Sequence, residues 1–339
     1  MRCSISTTLT VSYLKFLDTP IKWFFFYFVL GLCAVCYLFL VLFGRVSAFS
    51  SFDNLLHEPK EVTLFEEGHF TNGAFVDFEG GQWMALRKID KGNSYIYVGN
   101  FSHDMVSNLK RLFLRSQHAE DPRLFVFKDQ LVCVYNDLIQ GQRRIHLAFL
   151  QREGQGLVVQ KIQALTKEGG LKQTEKNWVP FVHHDKLYFL YETNPWTVLE
   201  YQDDGYCKIL TKQELFIPGE TPKLSGGTPA VECNGEYVGF FHIRSGITRS
   251  YVSWNRYVYF VGAYAFDSSP PFLLKRLTIK PLSYPGAYHL FKNPKKILYP
   301  VGIRQNSENF FVSMGVNDDR TECVKIPKEA LFSIMVEVR

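Results

Sequence analysis

The chain of 339 residues predicts an all-β fold, a five-bladed β-propeller preceded by a single N-terminal transmembrane helix. Three observations predict it. An uncharged apolar run extends from Trp23 to Gly44, and five copies of a strand–turn–strand pattern follow from residue 72 onward. The composition adds 30 Phe and 18 Tyr, with 24 Gly and 15 Pro. Aromatic side chains suit the half-buried face of a pleated sheet, and Gly and Pro supply turns between many short strands. Disorder is excluded, because 46% of the residues are hydrophobic and can bury a large core. Seven cysteines are too sparse for a disulfide-stapled scaffold. Lys and Arg (38) against Asp and Glu (33) leave a net charge of +5 with no block of one sign, which gives no nucleic-acid footprint.

The apolar run reaches roughly 33 Å at about 1.5 Å per residue, enough for a hydrocarbon core of about 30 Å. Lys22 and Arg45 flank it, and Trp23 and Tyr27 suit an interfacial belt. Val46-Ser47-Ala48 has the small-residue form of a signal cleavage site. A signal core is usually about 7–15 residues, however, so a retained anchor is favoured. Arg2, Lys15 and Lys22 precede the run, whereas only Arg45 follows before Asp53 and Glu58. That bias predicts a cytoplasmic N-terminus and an exported or lumenal body. The expected organisation is a tail over 1–22, an anchor over 23–44, a linker over 45–64 and a propeller over 65–339. Cys133, Cys207, Cys233 and Cys323 are far apart in sequence. They leave three pairings open and read as buried small hydrophobes.

The repeats justify the blades. They run 74–78 and 83–86, 124–127 and 131–135, 180–182 and 187–191, 230–233 and 236–241, and 301–303 and 310–314. Asn234-Gly235 is a type I′ hairpin signal, since both residues tolerate positive φ. Turns near 81, 129, 185, 235 and 307 step by about 48, 56, 50 and 72 residues, close to the length of a propeller blade. Further strand-like segments such as 144–149 and 257–260 complete the sheets.

In an antiparallel hairpin the start of the first strand and the end of the second share one edge. The starts carry Asn72, Glu120-Asp121-Pro122-Arg123, Lys176-Asn177 and Gly226-Gly227-Thr228-Pro229; the ends carry Arg87, Tyr135-Asn136-Asp137, Tyr191, His242 and Asn317-Asp318. One mouth of the axial channel therefore collects an acid, cations, amides and aromatics, the makings of a polyol-binding pocket. Each has a plain structural alternative: Asp121 as a turn cap, Arg123 as its ion-pair partner, Lys176 as a solvated cation and His242 as a rim histidine. Recurrence at one end of successive repeats favours the pocket. His183-His184 sits in a turn without metal-type spacing, so no metal and no cofactor is expected.

Glu120-Asp121-Pro122-Arg123, Gly226-Gly227-Thr228-Pro229, Phe241-His242, Tyr259–Tyr264 and Gly315-Val316-Asn317-Asp318 resemble the β-mannoside phosphorylases of glycoside hydrolase family 130. Glu175–Phe181 and Tyr191–Pro195 are closer to the β-mannosyltransferases of glycosyltransferase family 108. The resemblance covers about residues 65–330 and rests on the order of short motifs. It implies that Asp121 is the general acid of an inverting reaction, acting through a sugar hydroxyl. It implies that Asn72 and Asp318 hold mannosyl hydroxyls, and that Arg143 or Arg144, Lys176 and His242 receive phosphate or a sugar-nucleotide diphosphate. Arg87, Arg123, Asn177, Tyr191 and Thr228 complete the expected substrate-binding set. Gly73 and Phe241 depart from the family, which often has a hydroxyl-bearing residue and a tyrosine at those places.

An inverting hydrolase needs a second carboxylate about 6.5–9.5 Å from the acid. Glu120 is expected to face away from Asp121, because adjacent strand residues point to opposite faces. Cations without a second acid favour transfer or phosphorolysis. The expected enzyme is a membrane-anchored, inverting β-mannosyl-transferring enzyme using GDP-mannose or mannose 1-phosphate and a mannose-containing acceptor, with no nucleic-acid partner. The alternatives are a β-mannoside phosphorylase or hydrolase, and a non-catalytic carbohydrate-binding propeller.

Overall fold

The computed structural model describes residues 20–43, 53–215, 224–247, 256–284 and 297–338. Two compact units are present, one containing the N-terminal helix and the other the β-sheet body. In the first, helix α1 (Pro20–Phe43) forms over the apolar run. It begins three residues before the expected span, at a proline whose fixed φ and missing N–H suit a first helical position. Its side chains from Trp23 to Val35 are exposed throughout. Among the residues whose side chains are described, no helix is long and apolar enough to cross a membrane. A helix is therefore present where the transmembrane segment was expected, while Gly44 and the N-terminal tail lie outside the described residues.

The body is a five-bladed propeller. Strand β1 (His57–Glu61) opens it. Blade I holds β2 (Thr63–Leu64), β3 (His69–Phe78), β4 (Gly81–Asp90), β5 (Asn93–Ser102) and β6 (Met105–Arg111). Blade II holds β7 (Glu120–Phe127), β8 (Gln130–Ile139), β9 (Gln142–Glu153) and β10 (Gly156–Ala164). Blade III holds β11 (Thr166–Lys167), β12 (Val179–His183), β13 (Lys186–Thr193), β14 (Trp196–Tyr201) and β15 (Tyr206–Gln213). Blade IV holds β16 (Leu224–Gly226), β17 (Val231–Cys233), β18 (Glu236–Ile247), β19 (Arg256–Asp267) and β20 (Leu274–Thr278). Blade V is β21 (Leu298–Gln305), β22 (Asn309–Val316) and β23 (Arg320–Pro327). Helix α2 (Lys328–Ile334) then leads to β24 (Met335–Glu337), which returns to pair with β20.

All five predicted hairpins are the inner strand pairs, β3–β4, β7–β8, β12–β13, β17–β18 and β21–β22. Asn234 and Gly235 have φ of 53° and 76°, as a type I′ turn demands. The expected linker 45–64 needs correction, because β1 pairs antiparallel with β23 and β2 pairs with β6. Strand β1 reads His-Glu-Pro-Lys-Glu and is exposed along its length, so no buried face imposes an alternation on its sequence. It is the outermost strand of blade V, and closes the ring with the beginning of the chain.

The core lies between blades. Trp83, Ile96, Leu131, Tyr135 and Leu150 pack blade I on blade II. Phe127, Leu147, Trp178, Phe189 and Leu199 pack blade II on blade III. Between blades III and IV, Phe181 meets Tyr188, Tyr237, Phe266 and Phe272 with ring centroids 5.1–5.4 Å apart, within the range of favourable aromatic pairing. Cys133, Cys207 and Cys233 are buried free thiols, as expected, and Cys323 is free and partly buried.

Trp196 is fully buried and its Nε1 donates to the Phe272 carbonyl at 2.8 Å. Trp196→Ala removes that bond and leaves a cavity, so chemical denaturation should show a loss of about 3–5 kcal/mol. An unchanged midpoint would place the blade III–IV junction outside the folding core.

Candidate active site

Local backbone geometry aims the site residues. The ladders shift register between Thr71 and Ala74 in blade I and between Glu120 and Arg123 in blade II. Asn72 and Asp121 occupy these shifts with φ of 52° and 55°. A bulge of this kind re-aims a side chain out of the pleat. Asn177 (φ 62°) and Asp318 (φ 57°) share the left-handed conformation at the corresponding rim of blades III and V. Asn and Asp tolerate it better than most side chains.

The result is a cavity of about 280 Å³ lined by Asn72, Arg87, Glu120, Asp121, Lys176, Asn177, His242, Tyr259, Ile297, Tyr299 and Asp318. Asp121 is buried and surrounded by donors. The Asn72 amide donates to Oδ1 at 2.9 Å, and the Asn136 amide and Tyr299 hydroxyl donate to Oδ2 at 3.3 and 3.2 Å. Burial acts to raise its pKa, but Arg87, Arg123, Lys176 and the Asn72 hydrogen bond outweigh this and hold it below the usual carboxylate value. The ligand-free cavity therefore keeps Asp121 ionised near neutral pH.

Beside it three of the expected cations meet on Glu120, a partner the sequence did not reveal. Arg87 and Arg143 both donate to Glu120 Oε1, at 2.9 and 2.7 Å, and Lys176 reaches Oε2 at 3.3 Å. Three cations share one carboxylate, so the cluster carries an excess of positive charge. Glu120 was expected to face away from Asp121. Instead both line the cavity, because the register shift and the left-handed φ of Asp121 break the strand's alternation. The expectation of a site without a second carboxylate is overturned with it.

Other expected site residues are placed differently. Arg123 is buried and donates to the Gly226 and Gly227 carbonyls and, at 2.9 Å, to the Tyr299 hydroxyl; it ties blade II to blade IV and does not line the cavity. Thr228 Oγ1 accepts from the Phe240 N–H at 3.0 Å and is fully buried, a latch closing the Gly-Gly-Thr-Pro loop. Arg144 donates to the Lys172 and Gln173 carbonyls outside the cavity. Arg143 does not line the cavity either: it donates to the His118 carbonyl, to Asn136 Oδ1 and to Glu120, so Arg87 is the cavity arginine. Tyr191 lines a neighbouring pocket of about 300 Å³ that also contains Lys176 and Asn177. Burial depresses the His242 pKa to about 3, and Arg123 adds to the effect. The expected histidine cation is thus a neutral imidazole, stacked on Tyr259 with ring centroids 5.4 Å apart.

Tyr299 was missed in sequence, where Leu298-Tyr299-Pro300-Val301 reads as ordinary apolar strand. Two glycines account for the fit around Asn72. A Cβ on Gly73 would lie 2.9 Å from Met84 Sδ, and one on Gly315 would lie 1.7 Å from Asn72 Oδ1. Gly73 therefore cannot carry the hydroxyl-bearing side chain of the resembled family without repacking. Among the described residues no group of His, Cys, Asp or Glu could hold a metal ion.

Gly315→Ala should push Asn72 away from Asp121 and cost about 1–3 kcal/mol in thermal or chemical unfolding. Adding Asn72→Ala should recover most of that loss, since it removes the clashing amide. Strict additivity of the two losses would sink this account of Gly315.

The sequence matches no protein-family model and no curated protein. Solved structures do match. A β-1,2-mannobiose phosphorylase from Listeria innocua, solved with β-1,2-mannobiose, superposes with a TM-score of 0.57 at 16% identity, covering 80% of this chain and 95% of that one. A mannose phosphorylase from Leishmania mexicana, solved with phosphate, gives 0.55 at 12% identity, covering 84% and 92%. A member of glycoside hydrolase family 130 acting on β-1,2 mannosidic linkages in Candida mannan gives 0.56 at 14% identity, covering 78% and 86%. The body thus shares the five-bladed fold of the mannoside phosphorylases that its motifs resemble.

Proposed function

We propose that this chain transfers a β-linked mannosyl unit, with inversion, between an alcohol and phosphate, with mannose 1-phosphate as the activated sugar. The carrying observation is three cations against one carboxylate, at the side of a buried aspartate that accepts three hydrogen bonds. A phosphate oxyanion, as nucleophile or leaving group, needs fixed counter-charge, and paired guanidinium groups provide it. The phosphorylases of the same fold supply the sugar and the anion by analogy.

In phosphorolysis, phosphate held by Arg87 and Lys176, with Arg143 behind them on Glu120, attacks the anomeric carbon while Asp121 delivers a proton toward the leaving oxygen. The anion offsets the cations that keep Asp121 ionised, so its arrival raises the affinity of Asp121 for the proton it must donate. Asn72 orients Asp121 and, with Asp318, meets the sugar hydroxyls. His242, being neutral, serves as a polar wall and not as a third kind of cation. A hydrolytic reading has support as well, since Glu120 and Asp318 put two further carboxylates in the cavity.

The full chain, given β-1,2-mannobiose and inorganic phosphate, should yield mannose 1-phosphate, and the reverse mixture of mannose 1-phosphate and mannose should yield a β-linked disaccharide. Free mannose released at a rate independent of phosphate would overturn transfer in favour of hydrolysis. Product formed only from GDP-mannose would replace phosphate by a sugar nucleotide. Asp121→Asn should lower turnover by about a thousandfold without changing the melting temperature much. Lys176→Ala should raise the KM for phosphate about tenfold.

We further infer that α1 anchors the chain in a membrane, with the N-terminus cytoplasmic and the propeller exported or lumenal. The uncharged composition from Trp23 to Gly44 and a helix of 24 residues support it. Retention in the membrane pellet after alkaline carbonate washing is expected, and release into the supernatant would remove the anchor from the proposal.

A further inference from the structure

The Tyr299 hydroxyl stands at a three-way junction. It lies 3.2 Å from Asp121 Oδ2 and 2.8 Å from Asn177 Oδ1, and it accepts from Arg123 at 2.9 Å. A phenol has one proton to give, yet two acceptors lie within its reach. We propose that Tyr299 is the positioning residue of the acid: its proton turns between Asp121 and Asn177, which lets one buried carboxyl group exist in both the ionised and the protonated form. This rests on the reading of Asp121 as the proton donor.

Four features of the site support the proposal. First, the oxygen of Tyr299 is immobile while its proton is not. Arg123 is fixed by the Gly226 and Gly227 carbonyls and donates into that oxygen. The ring packs against His242, with centroids 4.6 Å apart. Only rotation about the C–O bond remains. Second, burial raises the Tyr299 pKa well above its ordinary value, so the phenol keeps its proton throughout and acts by direction, not by ionisation.

Third, a protonated Asp121 needs an acceptor for its own hydrogen. Asn72 and Asn136 offer it amide N–H groups, which favour only the carboxylate. Tyr299 is different: once its proton points at Asn177, its oxygen can accept from Asp121. Fourth, among the described residues that hydrogen-bond to Asp121 or shift its pKa by their charge, no other can take this part. Arg87 from β4, Arg123 from β7 and Lys176 from the segment before β12 are permanent donors. His242 from β18 is neutral, and Glu120 is occupied by its three cations. Asp318, beyond β22, is another cavity carboxylate and would oppose ionisation of Asp121 without offering it a donor.

The proton balance is simple. Solvent supplies the proton that settles on Asp121 as the anion binds, and Asp121 passes it toward the leaving oxygen. The attacking hydrogen phosphate returns its own proton to solvent on becoming the sugar phosphate dianion. Tyr299 begins and ends with its own.

Two substitutions in the full chain test the junction, and they should move in opposite directions. Tyr299→Phe keeps the ring and removes the donor that steadies the carboxylate, so Asp121 should hold its proton to higher pH by about half a unit or more. Asn177→Ala leaves Tyr299 no other acceptor, so Asp121 should lose its proton at lower pH by a similar amount. The protonated carboxyl band in infrared difference spectra, each variant against its own Asp121→Asn double variant, reads this without substrate. The alkaline limb of the kcat/KM profile should follow the same two shifts, with kcat about tenfold lower in Tyr299→Phe. Infrared titrations that coincide with wild type, or that shift the same way in both variants, would overturn the proposal. Opposite infrared shifts without any phosphate-dependent turnover would leave the junction standing and dismiss the transfer chemistry instead.

Discussion

A carboxylate buried on the axis of a propeller is costly unless donors and counter-charge surround it. Asp121 receives three hydrogen bonds from three other strands, and Arg123, a buried cation that also lowers its pKa, is tied to the carbonyls of a fourth blade. Removing one partner leaves the others facing an unpaired charge. The left-handed backbone at Asn72 and Asp121 and the missing side chain at Gly315 are consequences of packing these donors around one group. The need to solvate Asp121 with protein atoms is therefore what organises the channel mouth.

The same logic explains the positive cluster. Arg87, Arg143 and Lys176 repel one another, and Glu120 holds them together when no ligand is bound. It neutralises only part of the charge of these three cations. Because Arg87 and Lys176 also depress the Asp121 pKa, the cation cluster and the buried aspartate are coupled electrostatically.

Much of this was legible in the amino-acid order. The inner hairpins carry aromatic strands and polar turns whose periodicity survives because both faces are buried between blades. Asn72, Asp121, Lys176, Asn177, His242 and Asp318 were expected at one mouth, and all six line the cavity. What failed depends on geometry that sequence spacing does not encode. The bulge at Asp121 turned Glu120 inward against the simple alternation rule. Arg123 and Thr228 lie beside the pocket in sequence, yet spend their hydrogen bonds on neighbouring backbone. Tyr299 looks like core in one dimension, and only assembly of blades II, III and V places its hydroxyl on the acid. Strand β1 has no buried face to betray it.

Strand β1 also bears on how the molecule is made. Its partner β23 lies at the far end of the chain, with His57 opposite Lys325 and Glu61 opposite Glu322. Such distant pairing is slow to form, and on a ribosome it cannot form until β23 has emerged. Until then the outer edge of β23 stays unpaired, open to wrong partners. A chain stopped before β23 would leave β1 without its ladder, so this one seam ties the first strand of the ring to completion of its last blade.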